Sequence, residues 1–431
     1  MTNSRRAGSF SRTLVAMATV AWLVAGCGTL PGGSGGSGDT LTVMTFAPEG
    51  TNATNMPGMT GMAKAYERWV NSKGGINGRK LRVLTCNEKN TANGAAECAR
   101  KAIAEKVVAV VGSYSQHGRA FMAPLEVEGI PFIGGYGVSS EEFQSTLSYP
   151  VNGGQPVLIA GAGHQLGRAC EKVALVRPDT LVGDTLPVLL NAGLRANQMA
   201  DASDIRAAED SADFTPQARE ALANTAGGGG AKDKDKNNGC VTAVLGERTE
   251  TFFDAFRRTE PQRKKPQIAS VLGSVSQSLV DRTGGKESPF EGAYITSWYP
   301  VAADPLWAPM KKVIADFAFG DDTVDADDSG AQTTWIAYTV LEEIIKGFKK
   351  DEDVNARKVA RALNQAQAVK TGGLTPDLSW RYQDMRAVAG FPRIVNGRVT
   401  FQLVQSGRLV AQPGEQSLDM TPTLEQAPRV A

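Results

Sequence analysis

The chain holds two histidines, and one of them, His117, stands two places after Ser115 in "VVGSYSQHG". A hydroxyl and an imidazole are the parts of nucleophilic catalysis, which also needs a third group to orient the base. Two positions apart is instead the spacing of a loop entering a helix, where a serine hydroxyl serves the backbone. No H-E-x-x-H or Walker loop occurs. His164 falls in a helical pattern and reads as structural. The acidic run "DDTVDADDSG" puts Asp325, Asp327, Ser329 and Gly330 at positions one, three, five and six of a calcium loop. Position twelve is then Ile336, where a bidentate glutamate belongs, so the run reads as a solvated loop ahead of a helix. No cysteine spacing suggests zinc. The expectation is a protein with no catalytic residue, metal or cofactor, and no enzymatic activity.

Five cysteines carry the remaining side-chain chemistry. Arg5, Arg6 and Arg12 precede the apolar run "LVAMATVAWLVAG", which ends at Gly26. That run is short of the roughly 20 residues that cross a bilayer as a helix and has the plan of a secretory signal. "LVAG" followed by Cys27 resembles the lipobox of bacterial lipoproteins, which implies cleavage after residue 26 and acylation of Cys27. Two or more chains give stable anchoring, at about 0.8 kcal/mol per buried CH₂. The "GTLPGGSGGSGD" that follows has little side chain to bury and reads as a tether over 27–39. An exported protein fixed to the outer face of the bacterial cell membrane is therefore expected.

Cys86, Cys98, Cys170 and Cys240 remain, and four cysteines allow three pairings. Ala95, Cys98, Ala99, Ala102 and Ile103 form the buried stripe of a helix, and Cys86 ends the strand-like "LRVLTC" just before it. Cys170 and Cys240 each precede a strand-like run, "KVALV" and "VTAVL". The pairing expected is Cys86–Cys98 and Cys170–Cys240.

Those strands and helices must hold any site in place. From Leu41 onward, short apolar runs alternate with helical periodicities. "LTVMTF", "KLRVLTC", "VVAVVG" and "IPFIGG" read as strands, separated by helices near Met59–Val70, Ala95–Ile103 and Phe121–Val127. After "YPVNGG" the pattern restarts with "KVALV", "CVTAVLG", "PQIASVLG" and "GAYITSW". Thr215 is expected as the N-cap of a helix with Pro216 behind it. Ala226–Gly239 is a charged, glycine-rich insertion. Asn396-Gly397, between two alternating runs, predicts a hairpin. Alternating β and α units mean parallel sheets with helices on both faces, and ligands beyond the strands' carboxyl ends. The fold class expected is α/β: two doubly wound parallel-sheet lobes joined by a hinge. Lobe 1 is expected over 40–152 and 298–390, lobe 2 over 153–297 and 391–412, and a C-terminal tail over 413–431.

Bulk properties exclude some partners. The formal charge of +1 falls to −2 once residues 1–26 are removed, which gives no electrostatic case for nucleic acid. Hydrophobic residues make up 42% of the 431, enough for two sizeable cores.

"NSKGGINGRKLRVLTCNEKN" (71–90), "AAECARKAIAEKVVAVVGSYS" (95–115), "GIPFIGGYGV" and "DFTPQARE" occur in this order. With them the chain resembles the solute-binding proteins of ABC transporters with the type I periplasmic-binding fold, the branched-chain amino-acid (Leu/Ile/Val-binding) family. The resemblance implies three hinge strands, a ligand held between lobes, and delivery to ABC permease subunits. It also implies contact loops. The first is Ser113, Tyr114, Ser115 and Gln116, where a serine and exposed amides hold a carboxylate. The second contains Tyr136 and Gly137, whose backbone N–H groups suit an anion. In the far lobe the implied contacts are Thr180, Glu247, Arg248 and Ser274. The fourth loop reads Ser274-Val275-Ser276 where the family often has an acid, and Glu247 is the replacement expected for an ammonium group. The function expected is a monomeric receptor that captures a small polar solute (an amino acid, amide or related compound) for an ABC importer. A ligand-sensing lipoprotein of the same fold is the alternative.

Overall fold

In the run "TLTVMTFA" alternate residues pack to opposite sides, as a strand buried on both faces requires. This is β1 (Thr40–Ala47): Leu41, Val43 and Ala47 enter one core, Met44 and Phe46 another. The computed structural model describes residues 40–51, 54–180, 182–208, 211–226, 237–246, 248–259 and 266–430. The signal and tether expected over 1–39, most of the 226–239 insertion, and Glu247 lie outside the described residues.

Strands β2 (Lys80–Asn87), β3 (Ala109–Val111), β4 (Phe132–Ile133) and β5 (Ser148–Tyr149) join β1 in a parallel sheet of order β2-β1-β3-β4-β5. Helix α1 (Pro57–Ser72) covers one face with Met59, Met62, Ala63, Tyr66 and Val70. Helices α2 (Ala92–Ala104) and α3 (Gly118–Glu128) cover the other.

The second lobe repeats the plan. Helix α4 (Gly154–Ala169) leads to β6 (Val173–Pro178), α5 (Leu186–Ala196) to β7 (Ser203–Ala207), and α6 (Thr215–Thr225) to β8 (Cys240–Ala243). Helix α7 (Arg248–Arg258), β9 (Gln267–Val271), α8 (Gln277–Arg282) and β10 (Tyr294–Ser297) follow. The parallel order β7-β6-β8-β9-β10 matches that of the first sheet. In both sheets the order reverses beside the first strand, at β1/β3 and at β6/β8, and there the loops diverge.

Beyond β10 the chain returns to the first lobe. Helices α9 (Ala308–Phe317) and α10 (Ser329–Lys346) pack on α1, with α11 (Ala356–Gln365) beside α10. The Tyr338 hydroxyl meets Thr45 Oγ1 of β1 at 2.8 Å. A ribbon of β11 (Arg386–Val388) and β12 (Phe391–Ile394) docks on this lobe through Arg393, which donates twice to the Ser148 carbonyl, at 3.1 and 2.9 Å. The last strands, β13 (Arg398–Gln405), β14 (Arg408–Ala411) and β15 (Ser417–Asp419), extend the second sheet antiparallel. The final helix, α12 (Thr421–Glu425), packs on α4 and α5.

The chain thus passes between lobes three times, near residues 150–153, 298–299 and 395–397. Side chains tie these passes together. Asn152 Nδ2 donates to Tyr299 Oη at 3.0 Å, Trp298 Nε1 to the Gly154 carbonyl at 3.0 Å, and Asn396 Nδ2 to the Val151 carbonyl at 3.0 Å. Both expected disulfides are present, Cys86–Cys98 between β2 and α2 and Cys170–Cys240 at the foot of β8, with Cα separations of 5.7 and 5.9 Å. Chain entropy assigns them about 3 and about 4 kcal/mol.

Four expectations need correction. Asn396-Gly397 makes no hairpin, because Asn396 is committed to the pass between lobes. The hairpin lies at Ser406-Gly407, where φ values of 54° and 75° suit the twist of β13 and β14. The segment over 413–431 is no free tail, since β15 pairs with β13 and Met420 and Leu424, one helical turn apart, are fully buried. The third pass falls after β12, beyond the boundary expected at residue 390. Thr215 is the first residue of α6 rather than its cap, and the Asp213 carboxylate accepts its N–H at 2.9 Å.

Candidate ligand-binding site

A cavity of about 420 Å³ lies where the two switch points face each other. Its walls come from the loops after β1 (Thr54, Asn55), β3 (Tyr114, Gln116) and β4 (Tyr136, Val138) in the first lobe. From the second lobe come the loops after β6 (Thr180, Gly183), β8 (Leu245, Arg248) and β9 (Gly273, Ser274). The volume suits a small solute.

One wall is aromatic. Tyr114 and Tyr136 have ring centroids 5.3 Å apart, and Tyr136 meets Trp298 at 5.2 Å, nearly edge-on. Trp298 is held by its bond to the Gly154 carbonyl, so the wall is anchored at the hinge. Burial pushes the Tyr114 phenol up to about 12 and the Tyr136 phenol higher still, so both keep their protons at neutral pH. Tyr136 Oη lies 2.7 Å from Ser329 Oγ, and Gln116 Nε2 donates to Tyr114 Oη at 3.0 Å.

The lobes meet closely beside this wall. Gly273 has φ +84°, and a Cβ there would sit 2.9 Å from Tyr136 Oη and 3.4 Å from Ser329 Oγ. Glycine is the residue that both the backbone angle and the gap allow.

The loop after β6 is pinned from behind. Arg177, 1% exposed, grips Asp204 with Nε and Nη2 at 2.7 and 2.8 Å and reaches Asp184 Oδ1 from Nη1 at 2.8 Å. Thr180 Oγ1 accepts the Gly183 N–H at 3.0 Å, which closes the turn.

Of the residues read from the sequence, Tyr114, Gln116, Tyr136, Thr180, Arg248 and Ser274 line the cavity. Ser113, Ser115 and Gly137 are not among the lining residues. The Ser113 hydroxyl is fully buried and accepts the Phe46 N–H at 3.0 Å. The Ser115 hydroxyl donates to the buried Glu88 carboxylate at 2.9 Å and accepts the backbone N–H of His117 at 3.1 Å, so no serine–imidazole pair forms. The Gly137 N–H is occupied internally: Glu142 accepts from the N–H groups of Gly137, Val138 and Ser139 at 2.9, 3.1 and 3.0 Å. The amide nest expected for a ligand anion therefore already holds a carboxylate. Burial raises that carboxyl to about 7, against the pull of the three N–H donors.

Sequence reading missed Trp298, Asp328 and Ser329. Trp298 was visible only as the end of a strand. Asp328 looks like one more solvated acid in an acidic run, but it caps α10 by accepting the Ala331 N–H at 2.6 Å, and it lines the cavity. An aspartate directly before a long apolar helix was the available signal.

Comparison with known proteins agrees with this architecture. A family model described as periplasmic binding protein matches residues 43–391. Among solved structures, a solute-binding protein of an ABC transporter from Rhodopseudomonas palustris in complex with p-hydroxybenzoic acid is similar, at 16% identity and TM-score 0.68, over 90% of this chain and 100% of that one. A fatty acid ABC transporter substrate-binding protein from Thermomonospora curvata is similar at 15% identity and TM-score 0.64, over 91% and 95%. A leucine-binding protein from Thermotoga maritima is similar at 15% identity and TM-score 0.61, over 86% and 97%. At these identities the likeness establishes the fold. No match was found among curated proteins.

Proposed function

The chain belongs to the periplasmic binding protein family, and from that premise we propose that it is the extracytoplasmic receptor of an ABC importer. It captures a small solute between its lobes and hands it to the permease. One observation carries this reading: a cavity between two facing switch points, behind which three tied passes form a hinge. Tyr114, Gln116 and Tyr136 contact the solute from one lobe, and Thr180, Arg248 and Ser274 from the other. Ser113, Ser115 and Gly137 serve by holding their loops in shape. The aromatic wall favours an amino acid with a sizeable apolar side chain, or an aromatic acid like the p-hydroxybenzoic acid of the Rhodopseudomonas protein, over a short polar amide. Lipid on Cys27 keeps the receptor at the outer face of the membrane.

A thermal-shift screen over amino acids, amides, short peptides and aromatic acids tests the reading. A true solute at about 100 times its Kd adds about 2.7 kcal/mol of stability. A panel that leaves the melting temperature unmoved throughout contradicts a receptor for these classes. For a stabilising solute, uptake should fall in a strain lacking the protein. Unchanged uptake turns the assignment toward sensing. For the anchor, Cys27→Ser should abolish labelling by a radioactive fatty acid and release the protein from the membrane.

A further inference from the structure

Among the described residues that line the cavity, two carry formal charge, Asp328 and Arg248, and they stand on opposite lobes. Asp328 opens α10 in the first lobe, and Arg248 opens α7 in the second. Neither forms an ion pair with another described residue. Asp328 Oδ1 accepts the Ala331 N–H at 2.6 Å. Arg248 Nη1 donates to the Ser211 carbonyl at 2.6 Å. The carboxylate sits in a space kept by glycines: a Cβ on Gly58 would lie 2.7 Å from Asp328 Oδ1, and one on Gly330 3.0 Å from it. Its neighbour Ser329 bonds to Tyr136, so the carboxylate adjoins the aromatic wall.

A charge with no counter-charge among the described residues, facing a shrinking space with an aromatic wall, is costly, and closure of the lobes raises that cost unless a partner arrives. The two charges are opposite and on separate lobes, so one solute with complementary ends can satisfy both and draw the lobes together. Resting on the reading that this cavity holds the solute, we infer that Asp328 and Arg248 are the two ends of a clasp: Asp328 takes an ammonium or hydroxyl donor of the solute, Arg248 takes its carboxylate, and the aromatic wall takes its apolar body. Asp328 is thereby a specificity-determining residue, distinct from its service as a helix cap.

Asp328→Asn separates the two duties. Asparagine caps a helix as well as aspartate does, so the fold is retained and the melting temperature should stay close to that of the wild type. Isothermal titration then uses two matched pairs of probes: L-phenylalanine with 3-phenylpropanoate, and 4-hydroxybenzoate with benzoate. Each pair differs by the donor. In the wild type the donor-bearing member of at least one pair should bind about tenfold tighter or more, the scale of a hydrogen bond to a charged group. Asp328→Asn should erase that preference, while Arg248→Met should weaken both members of the pair alike. A preference that survives in Asp328→Asn overturns the clasp and leaves the receptor intact. Binding of none of the four probes, in a protein that a broader screen shows to bind another solute, overturns the clasp's solute class. A protein that binds nothing in either assay fails as a receptor.

Discussion

At the scale of single residues, the site is held by carboxylates that face inward. Glu142 fills the nest of the second loop, and Glu88 holds the first through Ser115. Burial raises the Glu142 carboxyl from 4.5 to about 7. The folded chain therefore binds this proton more tightly than the unfolded chain, and the contribution of Glu142 to stability falls as pH rises from about 4.5 through 7. Glu142→Gln should flatten that slope. Urea melts at pH 5 and pH 8 should differ between wild type and variant by up to about 3 kcal/mol, the size of such a shift. Parallel curves would contradict the assignment. Ser115→Ala should cost about 1–3 kcal/mol, because it strips a partner from buried Glu88. A variant that melts like the wild type would show that Glu88 does not need the hydroxyl. Residue types at the loops were legible because they follow strand-like runs. Their directions were not: a serine before a helix reads the same whether it faces a ligand or its own backbone.

At the scale of elements, the strands and most helices were legible because each packs on a core with an unbroken period. β1 alternates across its sheet, and α1 repeats its stripe over about three turns. What escaped lacked that signal. β7, "SDIRA", is an edge strand with charges on its outward side. α12 is a short helix whose buried Leu424 and neighbouring Met420 give too brief a pattern to read. Asn396-Gly397 and Ser406-Gly407 both suit a turn, and only the pass between lobes decides between them. The Arg177 network belongs to this scale, since it fixes the loop after β6 against β7. Arg177→Met should cost about 2 kcal/mol, less than the ~3–5 kcal/mol of a fully buried pair, because Asp184 and Asp204 keep access to water. It should also weaken solute binding through Thr180. Denaturant melts and calorimetry together check this, and unchanged affinity would show that the loop needs no such brace.

At the scale of the molecule, two sheets of the same order face each other across three tied passes, and function resides in their approach. That plan was legible because the β–α rhythm restarts after residue 154. The closeness of the rims was not, because it depends on a gap the size of one methyl group at Gly273. Gly273→Ala should meet Tyr136 and Ser329, hold the cleft ajar and lower affinity about tenfold or more, since closure is part of binding. The measurement that bears most directly on a receptor that closes on its solute is small-angle scattering of the mature protein, with and without a solute that raises its melting temperature. The wild type should contract when the solute is added, and Gly273→Ala should contract less. A wild-type radius of gyration that stays the same at saturating solute, equal to that of the variant, would contradict it.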